Sequence, residues 1–144
     1  MVGDFGTGDW GSESNLAAST KIRRAVEKLR PQISIHLGDV YYAGTAGAEL
    51  ANLVDIWPAG TIGSLALNSN HEMYPGGWHY YDEALGSAKF RMQNQCSFFA
   101  LENDNWIIVG IDSAYGADPY GLYNDGALDQ QGLQATFLKT CAAR

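Results

Sequence analysis

Three short blocks set a carboxylate, phenol, amide or imidazole directly after an apolar, β-prone run: Gly3-Asp4-Phe5-Gly6, Gly38-Asp39-Val40-Tyr41-Tyr42 and Ser69-Asn70-His71-Glu72. At each of them a strand should end and a loop begin. Hard and borderline divalent cations are held by this mixture of oxygen and nitrogen donors. In an α/β sheet, sites are built on the loops beyond the carboxyl ends of the strands. The blocks therefore point to a metal-dependent hydrolase site. Gly3 to Gly8 could also be a glycine-rich phosphate loop, but it matches neither G-x-G-x-x-G nor the Walker pattern, and no Lys-Ser/Thr follows. Singly, Asp4 reads as a turn or cap residue. The repetition of Gly-Asp, followed by Asn-His-Glu, favours the site.

The elements that must position these residues follow from periodicity and from breakers. Met1-Val2 reads as the end of a strand. A helix is expected from near Ser12 or Asn15 to about Arg30, stopped by Pro31, with Leu16, Ile22, Val26 and Leu29 as its apolar stripe. Ile33 to Leu37 then reads as a short buried strand with Asp39 at its tip. This order makes a parallel β-α-β start. Ala48 to Trp57 is a second helix ended by Pro58, and Ser64 to Asn68 is the strand that feeds the His71 block. Trp78 to Leu85 reads as short helical or irregular chain. Ser97 to Leu101 and Trp106 to Ile111 read as two strands around a polar hairpin loop. A terminal helix is expected over Leu128 to Ala143.

Length and composition narrow the class. The 144 residues read as one domain, 1–144, with 46% apolar and 17% charged residues, a composition that forms a core rather than a disordered chain. The net charge of −7 argues against nonspecific nucleic-acid binding, which needs a basic footprint. An acidic chain that handles a phosphate ester needs cations to offset its own field. No apolar run approaches the roughly 18–20 residues that span a bilayer, so no membrane partner is expected. Met1-Val2-Gly3 has no features of a secretion signal. Cys96 and Cys141 are too few for a disulfide framework and lack zinc-ligand spacing, which favours free thiols over a single bridge.

The order G-D-x-G, then G-D-x-x-Y, then N-H-E resembles the calcineurin-like metallophosphoesterases, and the tyrosine of the second block resembles the purple-acid-phosphatase-like branch. Ile111-Asp112-Ser113 and Gln130-Gln131 are similar to the family's central region. The resemblance implies an α/β fold of α+β sandwich type, a metallophosphoesterase β-sandwich flanked by helices. It implies two metal ions (Fe, Zn or Mn) and a small-molecule phosphate ester as substrate. Asp4 and Tyr42 would hold one metal, Asp39 would bridge both, and Asn70 would bind the second. His71 would hydrogen-bond the phosphoryl oxygen or protonate the leaving group, with Glu72 orienting it from behind. Two cations about 3.5–4 Å apart need a shared anionic ligand and lower the pKa of an attacking water. Asp112 and Ser113 would support the site.

Departures from the pattern set the remaining expectations. Ser69 stands where the family's third motif begins with Gly; serine is small and turn-tolerant, so little effect is expected. The family's V-x-x-H and G-H-x-H segments are not found in this chain, so it is read as lacking the C-terminal part of the family fold. A noncatalytic, truncated or degenerate module that binds metal weakly is the alternative to an enzyme. An unfinished sheet would expose strand edges and apolar surface, so a homo-oligomer is expected. The other two histidines are His36, read as packed or hydrogen-bonded within the sheet, and His79. His79 and Trp10 are candidates for the substrate pocket, although packing explains each of them as well.

Overall fold

The chain departs from its sequence pattern first ahead of the long helix. The computed structural model describes residues 1–8, 10–114 and 132–144. Gly11–Ser12 (β1) folds back on Asn15–Leu16 (β2) as a small antiparallel hairpin. Gly11 makes this possible: its φ is 103°, and a Cβ there would stand 2.1 Å from the Asn15 carbonyl oxygen. Helix α1 therefore runs Ala18–Leu29 rather than starting near Ser12 or Asn15. It ends before Pro31, with left-handed Arg30 donating its N–H to the Glu27 carbonyl at 3.2 Å. Its apolar stripe is narrower than expected, because Ile22 packs on the core while Leu29 is exposed.

Ile33–His36 (β3) alternates apolar and polar side chains, which gives it two different faces. The chain then forms α2, Ala46–Glu49, with Thr45 as its N-cap. The helix continues as a wider π-type turn over Leu50–Val54, short of the expected end at Trp57. Gly63–Ala66 (β4) pairs parallel with β3, placing His36 opposite Ala66. Val2 joins the other edge of β3 through a parallel bridge to His36: its N–H donates to Ile35 at 3.0 Å, and its carbonyl accepts from Leu37 at 2.9 Å. Three parallel segments in the order Val2, β3, β4 thus end on one side. That is the expected β-α-β start.

Asn70–Met73 (α3) follows β4, and Tyr80–Leu85 forms a second π-type turn within the Trp78 to Leu85 stretch expected to be short helical or irregular chain. The 3-10 segment Ala88–Gln93 has no counterpart in the sequence reading, because its residues carry no clear period. Phe99–Glu102 (β5) and Ile107–Gly110 (β6) form the expected antiparallel hairpin. Its loop is held by Asn103, whose side-chain oxygen accepts from Asn105 and Trp106 at 2.9 Å each. Helix α4 spans Leu133–Ala142. The expected earlier start at Leu128, and Gln130-Gln131, lie outside the described residues. Among the described residues no helix is long and apolar enough to cross a membrane.

The fold is mixed α/β with small sheets, and the two faces of β3–β4 are covered differently. Ile35 and Leu65 meet Phe99, with Ile33, Leu67 and Leu101 around them. The opposite face meets the helical side of the core, built from Phe5, Val40, Leu53, Trp57, Tyr80 and Phe90. Small hydroxyls make room there. Ser34 bonds Ser64 at 2.9 Å and accepts the Trp57 indole N–H at 3.0 Å, so the buried polar atoms satisfy one another.

The outer edge of β4 is closed by side chains rather than by another strand. Ala66 points its N–H and C=O away from β3. The Gln93 amide accepts from that N–H and donates to that carbonyl at 2.8 Å, and the Tyr80 hydroxyl adds a bond at 3.0 Å. Gln93 thereby substitutes for a neighbouring strand and protects the edge. Replacing Gln93 with Leu keeps the bulk but leaves the Ala66 N–H without its acceptor. We expect a loss of about 1–3 kcal/mol in urea unfolding. An unchanged midpoint would rule out the clamp.

Candidate metal centre

The three blocks converge because each begins where a parallel segment stops. Asp4 and Asp39 both take the left-handed conformation, with φ of 47° and 65°. Aspartate adopts this conformation more readily than most residues, and the turn lifts each carboxylate off its strand end. Gly38, with φ of 95°, lets the second loop approach the third, since a Cβ there would lie 2.7 Å from the Cβ of Ser69. The Asp4 N–H donates to the Gly38 carbonyl at 3.2 Å, joining the first loop to the second. The Gly44 N–H donates to the His71 carbonyl at 3.0 Å, joining the second loop to the third.

Glu72 is the buried tie of this cluster. Its carboxyl takes the Asp39 N–H at 3.3 Å as well as the backbone N–H of Ser69, closing a capping box at the start of α3. The Ser69 hydroxyl, a single donor, lies within reach of both Asp39 Oδ1 and Glu72 Oε2. Glu72 is thus turned inward, away from the role expected for it. The bond to the His71 ring comes instead from the backbone carbonyl of Tyr42, 2.7 Å from Nδ1. A carbonyl oxygen only accepts, so Nδ1 carries the hydrogen. Nε2 then accepts in the neutral ring and donates in the imidazolium.

Rings flank this histidine. Tyr74 stands edge-on to His71 with centroids 4.8 Å apart, and Tyr42 does the same at 5.8 Å. Tyr74 also accepts a hydrogen bond from the Asn70 amide at 2.7 Å. It was missed in the sequence, although its spacing of i+4 from Asn70 and i+3 from His71 places it on the same helical face. Tyr42 is 84% exposed and lies on the rim of the cluster. No family model, curated protein or solved structure matches the chain.

The loops that backbone and side-chain hydrogen bonds bring alongside one another carry the carboxylates of Asp4 and Asp39, the Asn70 amide and the Tyr42 phenol. This oxygen-rich set fits a hard or borderline cation. Among the described residues no three His, Cys, Asp or Glu side chains are gathered as ligands around one point. The set therefore fits one partly filled coordination sphere better than two complete ones. Trp10 is exposed on the hairpin and His79 is half-buried before the Tyr80–Leu85 turn; no described side-chain hydrogen bond or ring contact joins either to the cluster. A cleft of about 840 Å³ opens beside α3 and includes Met73, Trp78, Tyr81 and Phe98 in its wall. Asp112 is buried at this cleft, where it accepts from Tyr81 and from the Ala114 N–H at 3.1 Å each. Both cysteines are free thiols.

Beneath the cluster lie titratable groups that the sequence did not mark. Glu49 and Glu72 are fully buried, with the Tyr41 phenol in reach of both. Burial raises the Glu49 carboxyl to about 8, against a smaller lowering by the nearby Tyr41 phenol; neither carboxylate oxygen has a hydrogen-bond partner among the described residues. Burial likewise raises Glu72, opposed by its bonds to Ser69. His36 is also fully buried. It packs edge-on to Trp57 and accepts the Gly38 N–H on Nδ1 at 3.1 Å. Its packing and hydrogen bond within the sheet are those expected from the sequence, and burial drops its pKa to about 3, so it stays neutral.

Stability should follow these shifts in opposite directions. The folded pKa of His36 is below its unfolded value of 6.5, so stability is lost as pH falls from 6.5 toward 3. That of Glu49 is above its unfolded 4.5, so its contribution is complete below 4.5 and is lost as pH rises toward 8. Glu72 shifts in the same direction as Glu49. With chelator present, thermal midpoints should peak between about pH 4.5 and 6.5. A midpoint still rising above pH 8 would contradict these assignments.

Proposed function

We propose that this chain is a metal-dependent phosphoesterase of the calcineurin-like, purple-acid-phosphatase-like kind, acting on small-molecule phosphate monoesters. One observation carries the reading: Asp4, Asp39, Asn70 and His71 stand at the same ends of parallel segments, knitted by backbone and side-chain hydrogen bonds. Asp4, Asp39, Asn70 and Tyr42 are the residues that would hold Fe, Zn or Mn. A cation bound there supplies Lewis acidity to the phosphoryl oxygens and lowers the pKa of the attacking water. His71, with Nδ1 fixed on the Tyr42 carbonyl, directs Nε2 to the ester as a donor to the phosphoryl or leaving-group oxygen. Tyr42 and Tyr74 keep that ring upright.

A second reading has its own support. The incomplete ligand set among the described residues favours a module of the same fold that holds metal weakly and works by assembly. Trp106, Ile107 and Ile108 on the hairpin are exposed apolar residues of the sort buried between subunits. In this reading β6 meets a second copy in a homo-oligomer.

Hydrolysis of p-nitrophenyl phosphate in the presence of Mn²⁺ separates the two. The enzyme reading expects turnover that chelator abolishes and that Asp39→Asn lowers by about 100-fold or more, as loss of charge stabilisation on the transferring group would. Full activity in Asp39→Asn would remove Asp39 from the site. Absence of turnover with Mn²⁺, Fe²⁺ and Zn²⁺ alike would favour the noncatalytic module.

A further inference from the structure

A serine ahead of a short helix ordinarily serves as a cap, accepting backbone N–H groups, and Ser69 does so: its Oγ accepts from the His71 N–H at 3.2 Å. Its hydroxyl also has a proton to give. Two carboxylate oxygens are within hydrogen-bonding reach of it, Asp39 Oδ1 and Glu72 Oε2. Glu72 is already held by the N–H groups of Ser69 and Asp39. Among the described residues, the only hydrogen bond to the Asp39 carboxylate is the one from Ser69. The contact depends on close backbone approach, since the Ser69 Cβ lies where Gly38 could carry no side chain.

We propose that Ser69 is a positioning residue for Asp39: its hydroxyl pins Oδ1 and presents Oδ2 to a cation at the strand ends. The inference rests on the cation site described above. A free aspartate must give up rotamer freedom when it binds, whereas a pinned one has given it up already. Hydrogen-bond partners of metal-binding carboxylates typically contribute about 10–100-fold in affinity. Serine in this place is therefore part of the site's geometry, contrary to the small effect expected from its size and turn tolerance.

The test is Mn²⁺ affinity, read from the electron paramagnetic resonance signal of the free ion, in wild type, Ser69→Gly and Ser69→Thr. Glycine is nearly as good a cap as serine, so Ser69→Gly removes the hydroxyl with little change in thermal midpoint. The expected result is affinity about 10-fold weaker in Ser69→Gly and close to wild type in Ser69→Thr, which restores the hydroxyl. If Ser69→Gly fails to fold, Ser69→Ala takes its place, because it keeps a Cβ against Gly38 and lacks the hydroxyl. Equal affinity in wild type and the hydroxyl-free variant, or a Thr variant as weak as that one, would overturn the role of Ser69 alone. A wild type that binds no Mn²⁺ would overturn the cation site, and the proposal with it.

Discussion

The buried carboxyl of Glu72 is the interaction on which the strand-end region depends. It gathers the N–H groups of Asp39 and Ser69, groups from two loops that β3 and β4 bring alongside each other. Without an acceptor there, buried backbone donors would be left unsatisfied, which costs more than a hydrogen bond contributes when made. Removing this one group would release both loops. The first loop is held less directly, through the Asp4 N–H on the Gly38 carbonyl. Two left-handed aspartates then persist because the surrounding bonds determine their conformation.

The electrostatics below that layer are unusual for a structural core. Glu49, Glu72 and the Tyr41 phenol share a water-poor space directly under the loops that carry Asp4 and Asp39. Burial favours the neutral forms of both glutamates. The shifts act to lessen the negative charge held beneath the strand ends of an already acidic chain. His36 obeys the same rule with the opposite charge, remaining unprotonated in the sheet.

Much of this was legible in the sequence because it depends on local pattern. Ile33-Ser34-Ile35-His36 announces a two-faced strand, and the Asn103 loop announces a hairpin. The convergence of Asp4, Asp39 and Asn70 follows from strand ends alone once the segments are parallel. What was illegible depends on contacts distant in sequence. Gly11 starts a hairpin because of where the Asn15 carbonyl falls, and this delays α1. Gln93 closes β4 from 27 positions away. Glu72 faces Ser69 and Asp39 rather than the His71 ring, a choice made by the capping box and not by residue type. Glu49 gives no sequence signal, because a glutamate in a short helix is ordinarily solvated.

The central claim is that three separate loops make one cation site. Substoichiometric Mn²⁺ added to isotopically labelled protein tests this most directly, since the ion broadens amide resonances near it in two-dimensional nuclear magnetic resonance spectra. Amides around Asp4, Asp39 and Asn70 should broaden together, before those elsewhere. Broadening centred on the exposed carboxylates of the β5–β6 hairpin, or confined to a single loop, would contradict it.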